Sequence, residues 1–334
     1  MDKTEWRMDP LTREWTIFNE SRALPPACGG AEDGPFVQSP FRAGLEHYAP
    51  YGIHQEGGPH GWQVRVVPNR APILRVEGDH HHTSDGVYER LDGVGAHEIV
   101  IEDPGTRRFE DLPVPDLARV LGAWRARIED LMRDLRLRSF TVVKDIGRAA
   151  GQSIGHSLSQ VFATAIIPSA LRQKLESARD YYAARERSIF GDILAEEKRK
   201  GARIVFENAG YVVFCPYAAR GPFELAIWPK RQSPDFHHTN HEELGQFAEA
   251  IRHGLLRLRR ALGNPAWHFM LTTAPSRTLH AGEWPTIEDD FRWHASILPR
   301  LYPTGGFELS TGCHVNGVWP EVAADFLRAQ EIVP

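Results

Sequence analysis

A segment near the middle of the chain carries residue types that suit phosphate binding, and it reads GRAAGQSIGHSLSQ over residues 147–160. Its glycines let the backbone approach a ligand closely, and the side chains of Ser153 and Gln160 can donate hydrogen bonds to phosphate oxygens. If the chain is extended from residue 156 onward, His156, Leu158 and Gln160 lie on one face, because strand side chains alternate. The pattern is consistent with two interpretations. The segment is a phosphate-binding loop that leads into a strand, or its glycines only allow the backbone to form a tight loop.

Two histidines, His156 and His294, are the candidate catalytic residues. An imidazole with an ordinary pKa of about 6.5 can act as a general acid or base on a phosphate ester or a sugar. His156 could equally be a buried structural residue that hydrogen-bonds the backbone, and His294 is its counterpart in a second repeat of the chain. Leu158 lies on the same predicted strand face as His156, but its methyl groups cannot act as a nucleophile.

The elements that must position these residues occur twice, in the order strand, strand, helix, strand, strand. The first copy has predicted strands at 62–69 and 97–102, a helix over about 114–135, and strands at 139–145 and 158–167. The second copy has predicted strands at 211–216 and 223–228, a helix over about 242–262, and strands at 267–273 and 292–298. This order predicts an internal duplication.

The duplicated pattern predicts an α+β fold with a mainly antiparallel sheet and helices packed on it. Two half-barrels and one fused sheet both satisfy the pattern. A charged helical stretch separates the copies, and residues 23–58 are rich in proline and glycine. We predict an N-terminal unit over 1–168 that includes an irregular covering segment, a helical connector over 169–202, and a C-terminal unit over 203–334.

Composition limits the partners and the compartment. The 334-residue chain contains 39 Lys and Arg against 44 Asp and Glu and has no long basic run, so no nucleic-acid partner is expected. No apolar stretch suits a signal peptide or a membrane span. Three widely separated cysteines, Cys28, Cys215 and Cys313, argue against a disulfide framework. We therefore expect a cytoplasmic protein that does not contact a membrane.

The segment HSLSQ at 156–160 resembles the H-x-H-x-Q signature of galactose-1-phosphate uridylyltransferases, a branch of the histidine-triad superfamily. In that family the middle histidine attacks the α-phosphate of the nucleotide, and Leu158 stands in its place here. Further segments resemble the family's pattern in the same order: RMDPLTREWTI at 7–17, VVPNRAP at 66–72, GAHEIVIE at 95–102, RWHASILPR at 292–300, GFELSTG at 306–312 and PEVAA at 320–324. Because their order and spacing agree, the chain is identified as a divergent member of this family that lacks the nucleophilic histidine.

The resemblance implies duplicated histidine-triad-like units, a possible homodimer, and a nucleotide, nucleotide sugar or sugar phosphate as the small-molecule partner. The contacts that it implies with nucleotide and phosphate fall on Arg22, Asn69, Asp145, Ser153, Gln160 and Arg300. The contacts that it implies with a hexose fall on Phe307 and Glu308, and we expect Glu308 at the edge of a strand. Asp145 stands where the family usually has asparagine, so its carboxylate must be protonated or paired if phosphate binds nearby.

The family's metal ligands are largely missing from this chain. The positions that correspond to its zinc ligands are occupied by Cys28, Ala31, Thr106 and His156. A second metal site would need two histidines on one strand face, where this chain has His294 and Ser296. The run DHHHT at 79–83 either binds a metal or forms a solvated loop. Because so few ligands remain, we expect no metal and no other cofactor.

The missing nucleophile leaves three hypotheses about function. The preferred one is a repurposed enzyme, such as a hydrolase or lyase, that acts on a nucleotide, nucleoside or sugar phosphate without a covalent nucleotidyl-histidine. The second is a nucleotidyltransferase or phosphorylase that works on a nucleotide sugar by direct displacement. The third is a non-catalytic protein that binds nucleotide sugars. Function depends on the site and not on the fold, so the fold alone does not separate them.

Overall fold

The computed structural model describes residues 4–19, 39–58, 61–280 and 282–332, so Arg22 and Cys28 lie outside the described residues. The strands are β1 Thr4–Met8, β2 Trp15–Asn19, β3 His54–Gly58, β4 Gly61–Pro68, β5 His82–Asp85, β6 Tyr88–Leu91, β7 Gly95–Ile101, β8 Ser139–Ile146, β9 Leu158–Thr164, β10 Ile204–Glu207, β11 Tyr211–Phe214, β12 Leu225–Pro229, β13 Trp267–Thr272, β14 His294–Pro299 and β15 His314–Asn316. The helices are α1 Val114–Leu131, α2 Ser169–Arg185, α3 Ile189–Lys200, α4 His241–Leu262, α5 Ile287–Asp290, α6 Gly306–Thr311 and α7 Pro320–Arg328. All the elements predicted for the two repeats are present.

A ten-stranded antiparallel sheet joins the two repeats. Its strand order is β10-β11-β12-β14-β13-β8-β9-β7-β4-β3, and β8 pairs with β13 at the junction. From the junction outward, each half has the same plan, with α1 inserted between β7 and β8 and α4 inserted between β12 and β13. The predicted α+β fold with duplicated, mainly antiparallel units is therefore confirmed, and the fused sheet is the arrangement adopted.

One face of this sheet packs against α1 and α4, and this contact forms the main hydrophobic core. The apolar stripe of α1 includes Leu117, Leu121 and Trp124, whose spacing of three and four residues places them on one side of the helix. The strands contribute every second residue, such as Val142 and Val161. This core fixes which face of each strand remains for a ligand.

The opposite face of the sheet is covered unevenly. In the C-terminal half, α2 and α3 pack on it through a second apolar cluster that includes Phe190, Phe214 and Trp228. In the N-terminal half, the same face carries half-buried polar side chains and a small apolar patch. The ligand-accessible part of the sheet face therefore belongs mainly to the first repeat and the junction.

The remaining elements border this face. Strands β1, β2 and β15 form a separate three-stranded sheet, and β5 pairs with β6 in an exposed hairpin that includes part of the histidine run at 79–83. Among the described residues, no helix has both the length and the apolar character needed to cross a bilayer. The helices α2 and α3 lie within the predicted connector, and the division into units at 168 and 202 stays a prediction.

Candidate functional site

The glycine-rich segment forms a tight loop after β8. Gly147 and Gly151 have φ angles of 83° and 89°, in the left-handed region that favours glycine. A Cβ at Gly147 would lie 2.6 Å from the Cβ of Ala266, and the Gly147 N–H donates to Oε1 of Gln152 at 2.7 Å. The loop geometry thus requires glycine for structural reasons. Ser153, at the outer part of the loop, is exposed and accessible to a ligand.

A row of polar side chains crosses the open face of the sheet. It consists of Asn69 directly after β4, His97 on β7, Gln160 on β9, Asp145 on β8 and His268 on β13. Nε2 of His97 lies 2.9 Å from the amide nitrogen of Asn69 and 2.8 Å from the amide oxygen of Gln160. The amide nitrogen of Gln160 is 3.4 Å from Oδ2 of Asp145. The structure therefore brings together three predicted substrate-binding residues and two histidines that the sequence interpretation did not select.

His97 is held at both ring nitrogens. The backbone N–H of Ile73 donates to Nδ1 at 3.2 Å, so Nε2 carries the proton and donates to Gln160. The ring stacks on Phe162 with a centroid distance of 4.2 Å. Burial lowers the pKa of His97, which favours the neutral imidazole. These contacts make His97 an orienting residue for the Gln160 amide.

The Asp145 carboxylate is paired, as the sequence requires for a phosphate site. Its Oδ1 lies 2.6 Å from Nδ1 of His268, and the two residues are direct cross-strand partners on β8 and β13. Their side chains are 26% and 28% exposed, so a ligand can approach them. A hydrogen bond from Nδ1–H of His268 satisfies one oxygen of the Asp145 carboxylate, which leaves the other oxygen to accept from Gln160.

Leu158 lies two residues before Gln160 on β9 and is half-buried. It packs at the edge of an apolar patch formed by Val67, Ile99 and Ile101. Its backbone partner across the strands is Ile101. The position that carries the nucleophile in the resembling family is therefore part of an apolar surface in this chain.

His156 is buried just before β9, and both of its ring nitrogens have protein partners. Nε2 lies 2.8 Å from the backbone oxygen of Asp103, and Nδ1 lies 2.9 Å from the hydroxyl of Ser39. Nε2 must carry the proton because a carbonyl oxygen only accepts, so Nδ1 accepts from Ser39. Burial lowers the pKa of His156. The geometry favours the structural interpretation of His156, and its catalytic role stays an untested prediction.

A buried ion pair anchors the beginning of β9 from the helix side. The ammonium of Lys144 donates to Oε2 of Glu102 at 2.6 Å, to Oγ of Ser157 at 3.1 Å and to the backbone oxygen of Leu158 at 3.0 Å. Neither the Lys144 nor the Glu102 side chain is exposed. This pair therefore fixes the backbone at the position where the motif meets the open face.

His294 begins β14 and is also engaged at both ring nitrogens. Nδ1 donates to the backbone oxygen of Arg292 at 2.9 Å, and Nε2 lies 2.9 Å from the Nζ of Lys174 on α2. Burial, together with this lysine, holds the pKa of His294 well below its ordinary value. Burial also lowers the pKa of Lys174, to about 8. The Lys174 amine occupies Nε2 of His294, the ring nitrogen that a metal would need. The catalytic role predicted for His294 stays untested.

Three further predicted contact residues lie in the C-terminal repeat. Arg300 follows β14, and its backbone N–H donates to the oxygen of Ala266. Its Nε is buried and has no hydrogen-bond partner in the described part of the chain. Phe307 is 45% exposed on α6. Glu308 lies in the same short helix, so the expectation of a strand edge is wrong, and its Oε2 accepts the Gly305 N–H at 3.0 Å. The cap occupies one carboxylate oxygen of Glu308 with a structural contact.

One group of possible metal ligands occurs among the described residues, formed by Asp235, His237 and His238. The carboxylate of Asp235 is fully buried and receives two hydrogen bonds from Arg277, at 3.0 and 2.6 Å. A guanidinium bound to both carboxylate oxygens opposes cation binding there. This group therefore does not change the expectation of a metal-free protein.

The sequence contained a signal for the two histidines that were missed. His268 belongs to the predicted strand at 267–273, on the face opposite Trp267, Phe269 and Leu271, which are buried in the core. His97 likewise alternates with core residues on β7. A polar residue on the non-core face of a central strand indicates a ligand-facing position. The strand order was needed to place both histidines beside Gln160 and Asp145.

Comparison with known proteins gives full-length similarities. ADP-glucose phosphorylase of Arabidopsis thaliana is 29% identical over 97% of this chain and 92% of that protein. Galactose-1-phosphate uridylyltransferase of Thermotoga maritima is 22% identical over 98% of this chain and 99% of that protein. The crystal structure of an ADP-glucose phosphorylase from Arabidopsis thaliana with bound ADP-glucose matches with a TM-score of 0.85 at 27% identity, covering 99% of this chain and 100% of that one. No family model matches the chain.

Proposed function

We propose that this chain, a divergent member of the galactose-1-phosphate uridylyltransferase family that lacks the nucleophilic histidine, cleaves a nucleoside diphosphate hexose by phosphorolysis. Inorganic phosphate attacks the α-phosphorus directly, and the products are a nucleoside diphosphate and a hexose 1-phosphate. ADP-glucose is the first substrate to test, because the similar plant protein is an ADP-glucose phosphorylase and its structure contains ADP-glucose. Of the three hypotheses, these similarities favour direct displacement on a nucleotide sugar.

The observation that carries this proposal is the polar row beside Leu158. Asn69, Gln160 and the exposed Ser153 offer neutral hydrogen-bond donors next to a loop that a phosphate can approach closely. Leu158 removes the covalent route, since it has no lone pair to attack phosphorus. The remaining groups can hold and orient a phosphoanhydride without reacting with it, which is what a direct displacement requires.

Charges in the C-terminal repeat complete the proposed substrate site. Arg300 follows a strand next to β13 and makes no ion pair among the described residues, so its guanidinium is available for an anion. Phe307 presents an exposed ring that suits the apolar face of a hexose. We propose these two residues, together with Glu308 and Arg22, as further substrate contacts.

A coupled assay tests the function. The purified protein is incubated with ADP-glucose and inorganic phosphate, and the formation of ADP and glucose 1-phosphate is measured, with UDP-glucose as the comparison substrate. We expect phosphate-dependent release of both products in equal amounts. Consumption of ADP-glucose at the same rate without phosphate would indicate a hydrolase and refute phosphorolysis.

An exchange experiment tests the direct mechanism. Labelled glucose 1-phosphate is incubated with unlabelled ADP-glucose and enzyme, in the absence of inorganic phosphate and ADP. An enzyme-bound nucleotidyl group that persists after the first sugar phosphate leaves would react with labelled glucose 1-phosphate and carry label into ADP-glucose under these conditions. We expect no exchange, and exchange at a rate close to turnover would refute direct displacement.

A non-catalytic binding protein is the second candidate, favoured by Leu158 and by the engagement of both ring nitrogens in His156 and His294. Thermal shift separates this case, because a ligand that binds the folded state raises the melting temperature by mass action. Stabilisation by ADP-glucose without any product formation would favour the binding protein over the enzyme.

We also propose a cytoplasmic homodimer that binds neither nucleic acid nor membranes. The net charge of −5 disfavours a nucleic-acid partner. Among the described residues Cys215 and Cys313 are free, which supports a reducing compartment. Trp6, Met8 and Trp15 form an exposed apolar group on the three-stranded sheet that suits a contact between copies. Light scattering coupled to size exclusion measures the mass, and a monomer at micromolar concentration would contradict the dimer.

A further inference from the structure

His268 differs from the other histidines of the site in having a ring nitrogen without a protein partner. Its Nδ1 lies 2.6 Å from Oδ1 of Asp145, whereas its Nε2 has no hydrogen-bond partner among the described residues. His97, His156 and His294 each have partners at both ring nitrogens. A neutral His268 therefore presents a lone pair on Nε2, because the bond to Asp145 holds the proton on Nδ1.

The pair is placed where it can reach a ligand. His268 and Asp145 face each other directly across β13 and β8, and each side chain is about a quarter exposed, at 28% and 26%. Asp145 also accepts a hydrogen bond from the amide nitrogen of Gln160 at 3.4 Å, so the His268–Asp145 pair is linked to the rest of the polar row. A carboxylate that orients an imidazole whose second nitrogen is free is the arrangement of a general base.

The distance between Leu158 and His268 leaves room for an attacking phosphate. Strand β8 lies between β9, which carries Leu158, and β13, which carries His268, so the two backbones are about 10 Å apart at the usual strand spacing. A phosphate beside the α-phosphorus over Leu158 fits into this interval. Arg300 follows β14, where Leu298 is the cross-strand partner of His268, and a diagonal separation of about 7–8 Å lies within reach of an arginine. Arg300 can therefore hold the attacking phosphate next to His268.

We infer that His268, oriented by Asp145, is the general base that accepts a proton from the attacking phosphate, an inference that rests on the proposed phosphorolysis. An oxygen of hydrogen phosphate forms a bond to the α-phosphorus, and the bond from that phosphorus to the oxygen bridging to the β-phosphorus breaks. The bond's electron pair leaves with the hexose 1-phosphate, and the proton of the hydrogen phosphate moves to Nε2. The imidazolium then releases this proton to water.

Several charged groups lie on the elements that pack against β13. They are Asp145 and Lys144 on β8, Arg148 on the turn after it and Arg300 after β14, and the Lys144 ammonium is buried in its pair with Glu102. Protonation of His268 removes the free lone pair, so phosphorolysis should fall towards acidic pH.

The test compares His268→Asn with the wild type and with His280→Asn, a matched change at an exposed histidine outside the site. Asparagine keeps a donor for Asp145 and removes the base at Nε2. We expect kcat for ADP-glucose phosphorolysis to fall by about 10²–10⁴-fold, as for loss of a general base. We expect the dissociation constant for ADP-glucose to change less than threefold and the acidic fall of kcat to disappear. His280→Asn should retain wild-type kinetics.

The outcomes separate this inference from the proposed function. If the wild type phosphorolyses ADP-glucose and His268→Asn keeps its kcat and its pH profile, the inference fails and the function stands. If the wild type neither binds nor converts a nucleoside diphosphate hexose, both fail. Labelled nucleotide on His268 after alkaline quenching would make this residue a nucleophile and overturn its role as a base. An Asp145→Asn variant with lower kcat and a dissociation constant for ADP-glucose within threefold of the wild-type value would support the pairing.

Discussion

The buried Lys144–Glu102 pair allows a quantitative prediction about the strand that carries Leu158. Neither charged side chain is exposed, and the Lys144 ammonium has three partners: Glu102, Ser157 and the backbone oxygen of Leu158. The second carboxylate oxygen of Glu102 is buried and has no hydrogen-bond partner within the residues that the structure describes. Lys144→Met keeps most of the side-chain volume and leaves Glu102 as a buried charge without a cation.

The expected effect is a loss of about 3–5 kcal/mol in the free energy of unfolding, which is typical of breaking a buried ion pair by removing one partner. The double variant Lys144→Met/Glu102→Gln removes both charges and leaves an amide oxygen that can accept from Ser157. It should therefore recover at least about 2 kcal/mol of the loss, because the penalty arises from the uncompensated charge.

Urea denaturation followed by tryptophan fluorescence measures these free energies. Lys198→Met is the matched control, because Lys198 pairs with Glu207 at the surface with its side chain 48% exposed. Exposed pairs contribute about 0–1 kcal/mol, so this control should stay within about 1 kcal/mol of the wild type. A loss below about 1 kcal/mol in Lys144→Met, or a double variant less stable than the single one, would refute the reasoning.

The remaining predictions concern covalent labelling, metal content and pH. Incubation with labelled ADP-glucose and alkaline trapping should give no labelled protein because Leu158 cannot attack phosphorus, and label on any histidine would contradict this. Gain of slow labelling in Leu158→His would indicate that the pocket presents the α-phosphate to this position. Elemental analysis should find well below one zinc or iron per chain, because Lys174 contacts Nε2 of His294 and Arg277 donates hydrogen bonds to Asp235. One tightly bound metal per chain would overturn this prediction. Burial lowers the pKa of Lys174 from 10.5 to about 8, so the unfolded chain binds more protons than the folded chain between these pH values. The free energy of unfolding of the wild type, relative to that of Lys174→Met, should therefore rise between about pH 8 and 10.5. An unchanged difference would be inconsistent with the lowered pKa of this lysine.

The sequence determined the elements and their buried faces. The apolar spacing of α1 predicted which side of the helix enters the core, since the helical period places residues three and four apart together. Alternation on β9 correctly placed Leu158 and Gln160 on one face, with Val161 on the other. The expectation that His156 continues this face is wrong, because β9 begins at Leu158 and His156 is buried before it. The motif also predicts that the family's nucleophilic histidine is replaced by Leu158, and this prediction depends on residue identity alone.

The tertiary structure decided which side chains meet, because strand order in a sheet depends on pairings between distant segments that local patterns do not encode. Asp145 and His268 are 123 residues apart in the chain and become partners only because β8 pairs with β13 at the junction of the repeats. Likewise, Lys174 reaches His294 across 120 residues because α2 packs on the sheet of the second repeat. Among the described residues, these contacts leave Nε2 of His268 without a partner and engage Nε2 of His294. A neighbouring donor or acceptor thus changes the chemistry of an imidazole, although the sequence around the histidine is the same.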